Sequence, residues 1–494
     1  MGAGWIIAWR LATRNLGLLS TLILVRLLQP SDFGLVALAG GFINSVDALS
    51  AIGVQDALVR APALDRDMYD TGFCLGVLRG ILTALVIGAI AWPVGAFFTD
   101  PRLTVVMLAL SVGTVITAFE NIRVVDFRRN LAFRKEFDMQ LWSRVVGVVA
   151  TVAIAAIWET YWALVAGILA NRIARLLQSY LMSPYRPGFT LRAWQGIIGF
   201  SLWSWAQTVL YQARDRSDSI VVGRLLGAAQ VGVFSVGAEL GSLPITEIVE
   251  PLNRALFSGF ASLHNAAESL DNMFLNAVGM GFMLILPAGI GISMVADPIV
   301  RLMLGMHWIA TVPVVQIMAV AATGAMFSHA SGTLLNAIGR PSVTFYVVTV
   351  STIIRVICLL MLVPGFGLPG AAAALSVAAI ADVMLFLGIA LPRARISPWR
   401  LARCVMRPVI ATMAMTLLLW QLDMAWTPGH GLNEFGLAID LVRRAAIGAT
   451  CYAAALLAIW FATGQPDGAE RFTLGVMAKA WKRLRRWELV GVRW

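Results

Sequence analysis

Apolar runs of about twenty residues recur along the whole chain, broken by short groups of Pro, Gly, Asp and Arg, and each run is long enough to cross a hydrocarbon layer about 30 Å thick. Reading the runs against their breakers predicts about fourteen transmembrane helices. They fall at 5–28, 35–58, 71–95, 103–122, 140–158, 160–181, 195–213, 219–241, 273–296, 309–337, 342–363, 367–391, 403–421 and 437–463. Short connections such as "PSDFG" and "PGFGLPG" make neighbouring spans antiparallel hairpins. The expected fold is an all-α polytopic membrane protein.

Composition agrees. Of 494 residues, 59% are hydrophobic and only 13% charged, against about 25% charged in soluble proteins. The net charge of +11 comes from arginine, since only Lys135, Lys479 and Lys482 are lysines. In a soluble chain that charge would suggest nucleic acid. Here it follows the enrichment of basic residues on the cytoplasmic side of membrane proteins, and no nucleic-acid partner is expected. The basic clusters at 123–135, 393–407 and the C-terminal tail all fall inside if both termini are cytoplasmic. Arg443 and Arg444 fit that topology least well, at the outer end of the last span. The N-terminal segment lacks a basic lead-in and a cleavage site and reads as a retained first helix. The tail 464–494 alternates basic and aromatic residues, which predicts an amphipathic helix on the anionic cytoplasmic leaflet.

One short phrase occurs twice. "RLLQPSDFG" at 26–34 and "RLLGAAQVG" at 224–232 share Arg, two Leu and a Gly in register, 198 residues apart. Ala57-Leu58 falls on Ala255-Leu256 at the same offset, and Asp100-Pro101 on Asp297-Pro298 at 197. A duplication of six spans gives two parallel lobes related by an axis along the membrane normal, with a site near the midplane. The expected organisation is an N-lobe at 1–190, a C-lobe at 191–392, two extra helices at 393–463 and the tail at 464–494.

Charges inside the spans come next, because an arginine at a helix centre costs about 2.5–3.5 kcal/mol on insertion scales. Such residues face a polar interior or a ligand. Arg10 and Arg14 share a face of the first helix, Arg79 lies in the third span and Arg355 mid-way along the eleventh. Guanidinium forks suit phosphate oxygens, so these four are candidates to bind an anionic substrate, a diphosphate above all. Internal pairing with Asp47, Glu239 or Asp382 is the other reading, and those acids are also candidates for ion coupling. Gln207, Tyr211 and Gln212 on the seventh span are candidates for sugar contacts.

Catalytic chemistry is not visible. There is no GxxxxGK[ST] phosphate loop. The four His, at 264, 307, 329 and 430, and the four scattered Cys show no metal-ligand spacing, so neither metal nor cofactor is expected. "DRD" at 65–67 is a DxD that reads best as a solvated turn. The chain is expected to be a transporter and not an enzyme.

Several segments together resemble the Wzx-type polysaccharide transporters of the multidrug, oligosaccharidyl-lipid and polysaccharide exporter superfamily. They are "RLLQPSDFGLVALA" (26–39), "DSIVVGRLLGAAQVGVFSVG" (218–237), "LLNAIGRPSVTF" (334–345) and "GFGLPGAAAALSVA" (365–378). The resemblance implies a flippase that moves oligosaccharide linked to polyprenyl (undecaprenyl) diphosphate from the cytoplasmic to the periplasmic leaflet of the bacterial inner membrane. It also implies two six-helix lobes in a V around a cationic cavity; a polysaccharide polymerase and a chain-length regulator are candidate partners. The repeated phrase would then be the corner between the first two helices of each lobe, its Gly serving a close turn or close packing. A multidrug or cation antiporter of the same superfamily is an alternative, but it would favour acids in its cavity over arginines. A lipid II flippase differs only in substrate. A membrane glycosyltransferase would be expected to show catalytic acids beside a sizeable external loop.

Overall fold

The computed structural model describes residues 20, 23–50, 54, 55, 58, 65–130, 132–194, 202–250, 252, 267–337, 340–393, 396–429 and 433–465. The described elements are helices, and no strand occurs among the described residues. That is the solution a hydrocarbon environment enforces, because helices satisfy their backbone groups within one segment. Eight of the described helices are long and apolar enough to cross a membrane, or nine if a bent pair counts as one span. The protein is a multi-pass α-helical membrane protein. By contact density the chain divides into two compact units, Met1–Ser235 and Val236–Trp494.

The first unit holds α1 (Pro30–Leu49), α2 (Arg66–Phe98), α3 (Pro101–Ala118), α4 (Phe133–Trp158), α5 (Trp162–Met182) and α6 (Leu202–Leu226), with the start of α7 (Ala228–Gly241). Local chemistry starts these helices where the breakers stand. Pro30 occupies the first turn of α1, and Asp32 accepts a hydrogen bond from the Gln29 N–H at 3.1 Å. Asp65 of the DxD caps α2, accepting from the Met68 N–H at 2.8 Å. The corner to α3 is made by Thr99 in the left-handed region and Asp100, which caps α3 and forks onto Arg102 at 2.8 and 3.0 Å. The Arg102 guanidinium holds the Asp100 carboxyl below the usual carboxylate range. Helices α2 and α3 form one hairpin, α4 and α5 another, and α1 packs on α3 and α6.

The second unit continues with α8 (Ala267–Met294), α9 (Ala296–Met303), α10 (Val312–Ala322), α11 (Ala325–Ala337), α12 (Pro341–Arg393), α13 (Pro398–Gln421) and α14 (Glu434–Ala462). Its core gathers Phe274, Val278, Ile285, Met326 and Leu334 from α8 and α11. The 53 residues of α12 would run about 80 Å if straight. Gly367 at φ 62°, ψ −136° breaks it into two limbs, which match the predicted spans 342–363 and 367–391. Large apolar side chains stay bare on the outside of α13 and α14, among them Met413, Trp420, Phe435 and Val442, as a lipid-facing surface requires.

Two boundaries differ from the hydropathy reading. The polar group "RDRSD" at 214–218 is not a connection: α6 runs through it and ends only at Gly227, at φ 88°. Neither Gly nor Pro stands between Leu202 and Ile220, so nothing there interrupts the backbone ladder. The single span expected at 309–337 is instead α10 and α11, bent by 45° at Thr323–Gly324. The first predicted span lies almost wholly outside the described residues, as does the amphipathic tail from 466 onward.

The repeated phrase resolves into a contact. Helix α1 begins at Pro30 and α7 at Ala228, again 198 apart. A Cβ placed on Gly34 would overlap the Ala228 carbonyl oxygen and stand 2.8 Å from the Gly232 nitrogen. One placed on Gly232 would overlap the Pro30 carbonyl oxygen and stand 2.9 Å from the Gly34 nitrogen. The two corners cross backbone against backbone, and the shared glycine serves close packing and not a turn.

Arg443 and Arg444 find local partners. Arg444 is buried, with Nε 2.7 Å from an Asp440 carboxylate oxygen and Nη1 donating to the carbonyls of Met424 and Thr427 and to Thr427 Oγ1. Arg443 binds the other Asp440 oxygen at 2.7 Å. The loop so held reaches α8, where Trp426 donates to the Met294 carbonyl and to Ser293 Oγ.

Candidate functional site

Within the first unit, α1 to α5 and the connection after α3 enclose a polar cavity of about 550 Å³, within the range of about 300–1,000 Å³ usual for ligand pockets. Three arginines face it from helices. Arg79 on α2 lies 3.2 Å from an Asp47 carboxylate oxygen and donates to the Asp47 carbonyl at 3.2 Å. Arg172 and Arg175 stand three residues apart on α5 and so share one face. Arg172 Nη1 donates to Thr114 Oγ1 at 3.2 Å, and no carboxylate lies within ion-pair distance of it among the described residues. Arg175 Nε meets both oxygens of Glu120 at 3.0 and 3.1 Å. Glu136, Gln140 and Asn171 complete the polar lining, Gln140 donating to Glu136 at 3.3 Å.

Chemically, this arrangement has two capacities. Arg172 keeps most of its five donors for an incoming anion, and its planar fork fits phosphate or carboxylate. The carboxamides and carboxylates around it can donate to and accept from hydroxyl groups. Among the described residues no group of three or more His, Cys, Asp or Glu is arranged to hold a metal ion.

The structure brings Arg79 and Asp47 together as a pair at the cavity. The other expected residues that are described do not line it. Gln212, whose Nε2 donates to the Asn44 carbonyl at 3.1 Å, lines a separate crevice, and Tyr211 is exposed. In the second unit, Arg355 is half-buried on α12, Asp382 is buried on the other limb of the same helix, and Glu239 is exposed on α7. Arg10, Arg14 and the side chain of Gln207 lie outside the described residues. Arg172 and Arg175 went unnoticed in the sequence, although two arginines three apart in a predicted span carry the same argument as Arg79.

A clamp outside the spans ties the segment after α5 to this unit. Asp70 accepts from the Tyr185 hydroxyl at 2.6 Å and from the Gly188 N–H at 2.7 Å, and Asn121 donates to the Tyr185 carbonyl at 2.9 Å. Burial and the Asp70 carboxylate push the Tyr185 phenol up to about 12. Arg123 lies over both the Tyr69 and Tyr185 rings, 5.6 and 5.4 Å from their centroids.

Fold and cavity together define an α-helical multi-pass membrane protein with a polar, hydrogen-bonding chamber in its first unit, lined by three arginines and three carboxylates. Residues 23–313 match the family model described as polysaccharide biosynthesis protein, and the chain belongs to that family. It is 24% identical over 348 residues to the lipopolysaccharide biosynthesis protein WzxC of Escherichia coli (strain K12), a match covering 70% of this chain and 71% of that one. To the succinoglycan biosynthesis transport protein ExoT of Rhizobium meliloti (strain 1021) it is 22% identical, over 64% of this chain and 65% of that one. Among solved structures, the lipid II flippase MurJ in its inward closed conformation superimposes with a TM-score of 0.72. That match covers 92% of this chain and 99% of MurJ at 13% identity, a likeness of fold.

Proposed function

We propose that this protein is a flippase for oligosaccharide linked to polyprenyl (undecaprenyl) diphosphate. It carries its substrate from the cytoplasmic to the periplasmic leaflet of the bacterial inner membrane, for the biosynthesis of surface polysaccharide. The observation that carries the reading is the cavity of the first unit, where Arg172 offers an unspent guanidinium beside Arg79, Arg175 and a set of amide and carboxylate groups. The cations hold the diphosphate and the amides and acids hold sugar hydroxyls. The names of WzxC and ExoT, a lipopolysaccharide biosynthesis protein and a succinoglycan transport protein, support the same substrate class.

Movement is by alternating access of two six-helix lobes, 1–190 and 191–392. The 198-residue offset between α1 and α7 and the reciprocal glycine contact support that division. Both termini are cytoplasmic, the extra helices occupy 393–463, and the chain works beside a polymerase and a chain-length regulator without catalysing a reaction itself. Arg10, Arg14 and Arg355 remain anion-binding candidates, Asp47, Glu239 and Asp382 coupling candidates, and Gln207, Tyr211 and Gln212 sugar contacts.

The test is gene deletion in the native host, with leaflet-resolved labelling of lipid-linked sugar by a membrane-impermeant probe. Complete repeat units will accumulate on the cytoplasmic leaflet, and surface polysaccharide will be lost. Complementation with Arg172→Ala, at equal membrane abundance, will restore roughly a tenth or less of the flux, since a charge-assisted hydrogen bond contributes about 1.5–3 kcal/mol. Arg172→Lys will fall between, because it keeps the charge and loses the fork. Unaltered lipid-linked sugars with raised sensitivity to cationic drugs would replace this reading with the antiporter.

A further inference from the structure

A second crevice, of about 230 Å³, lies between α1 and α6 and shares no lining residue with the polar cavity. Its walls are apolar, with Phe42 and Leu49 from α1 and Val209 and Ile220 from α6. Its polar groups are few. Ser45 Oγ is spent on the Gly41 carbonyl at 2.9 Å, and the Gln212 amide donates to Asn44. What remains is Arg216 and the hydroxyl of Ser219.

Arg216 is the anomaly of this region. Its guanidinium lies across the bare face of Gly41, with Nη1 and Nε 3.6 and 3.7 Å from where a Cβ would stand. Its Nε is buried without a hydrogen-bond partner, and no carboxylate pairs with it among the described residues. The neighbouring Asp215 is exposed, and Asp218 takes a hydrogen bond from the Ser219 N–H. Arg216 stands ten residues before the end of α6 at Leu226, about 15 Å along the helix at 1.5 Å per residue. A buried donor left unmade is costly, so a ligand that accepts from it is favoured.

We infer that the crevice between α1 and α6 binds a single-chain amphiphile with a phosphate head, the phosphate on Arg216 and the chain along Phe42, Leu49, Val209 and Ile220. The apolar walls offer few partners for sugar hydroxyls, so this is a lipid site and not a second sugar chamber. Apolar walls select a chain, and the free fork selects phosphate over a neutral head. Gly41 leaves the space in which the guanidinium lies flat. The head-group chemistry is shared by a prenyl phosphate and by an anionic membrane lipid.

The test uses the full-length protein in neutral phosphatidylcholine nanodiscs, titrated with dodecyl phosphate, dodecanol and inorganic phosphate by calorimetry. Saturable binding of dodecyl phosphate is expected, at least about tenfold tighter than either control, the scale of one charge-assisted contact. Arg216→Gln will weaken it by about tenfold or more, Arg216→Lys by less, and Gly41→Val will weaken it by displacing the guanidinium. Each variant is checked for an unchanged elution profile and melting temperature. Farnesyl phosphate and lysophosphatidylglycerol, each with one chain, then compete for the site. Displacement by the first alone assigns it to a prenyl carrier, and displacement by lysophosphatidylglycerol to a membrane lipid. Equal binding of dodecanol, or undiminished binding by a folded Arg216→Gln variant, overturns the inference. Binding is read without transport, so loss of the flippase reading leaves this result standing, and the reverse holds too.

Discussion

Gly34→Ala will lower the melting temperature of the purified protein sharply and reduce polysaccharide export, and Gly34→Leu will leave little folded protein in the membrane. The methyl group of alanine has nowhere to go. It would overlap the Ala228 carbonyl oxygen and press on the Gly232 nitrogen at 2.8 Å. Both obstacles are backbone, so no side chain can swing aside. Overpacking a close contact costs about 1–3 kcal/mol and at times more, and a backbone crossing belongs at the upper end. Gly232→Ala will behave alike, since its Cβ meets the Pro30 carbonyl in the mirrored position. The double variant will cost less than the two single costs combined, because one separation of the helices relieves both clashes. A Gly34→Ala protein that melts and exports like wild type would show that the two corners do not stay in contact in the working transporter.

The second large effect concerns Arg444. Arg444→Met will destabilise the protein by about 3 kcal/mol, the lower end of the range for removing one partner of a buried ion pair. The lower end applies because Arg443, half out in solvent, still reaches Asp440. The substitution also frees the carbonyls of Met424 and Thr427, so the loop at 424–429 loses its tie. That loop reaches α8 through Trp426 and α9 through the Gly429 N–H on Asp297, so protease cleavage between α13 and α14 will speed up. Adding Asp440→Asn to Arg444→Met will recover part of the loss, because no carboxylate then remains buried without its closest cation. Thermal unfolding in detergent and limited proteolysis read both effects, and a single variant as stable as wild type would mean that the pair is hydrated.

The two sites differ in how visible they are along the chain. The glycine at 34 announced itself through its twin at 232, yet the repeat did not say whether it made a turn or a contact. Arg79 and Asp47 were each conspicuous as charges within apolar spans, but their pairing required α1 beside α2. Arg172, at the middle of α5, and Arg175 carry the same signal, but the sequence does not say which helix face meets a cavity. Arg216 was hidden for a different reason. The group "RDRSD" reads as a connection, and only a helix that runs through it to Gly227 lays that arginine against Gly41.

The sequence by itself determined the all-helical membrane fold, the capped corners at Pro30, Asp65 and Asp100 and the repeat that relates α1 to α7. These follow from the cost of placing each segment in hydrocarbon and from the backbone preferences of Pro, Gly and the capping acids, all properties of a segment on its own. The tertiary structure alone decided which charges meet. Arg175 lies on Glu120 from a helix 55 residues away, Arg172 faces the cavity with Thr114, and Arg216 rests on Gly41. A guanidinium in a membrane takes its role from the helix packed against it, and helix packing is set by side-chain and backbone fit across the whole bundle, which no single segment contains.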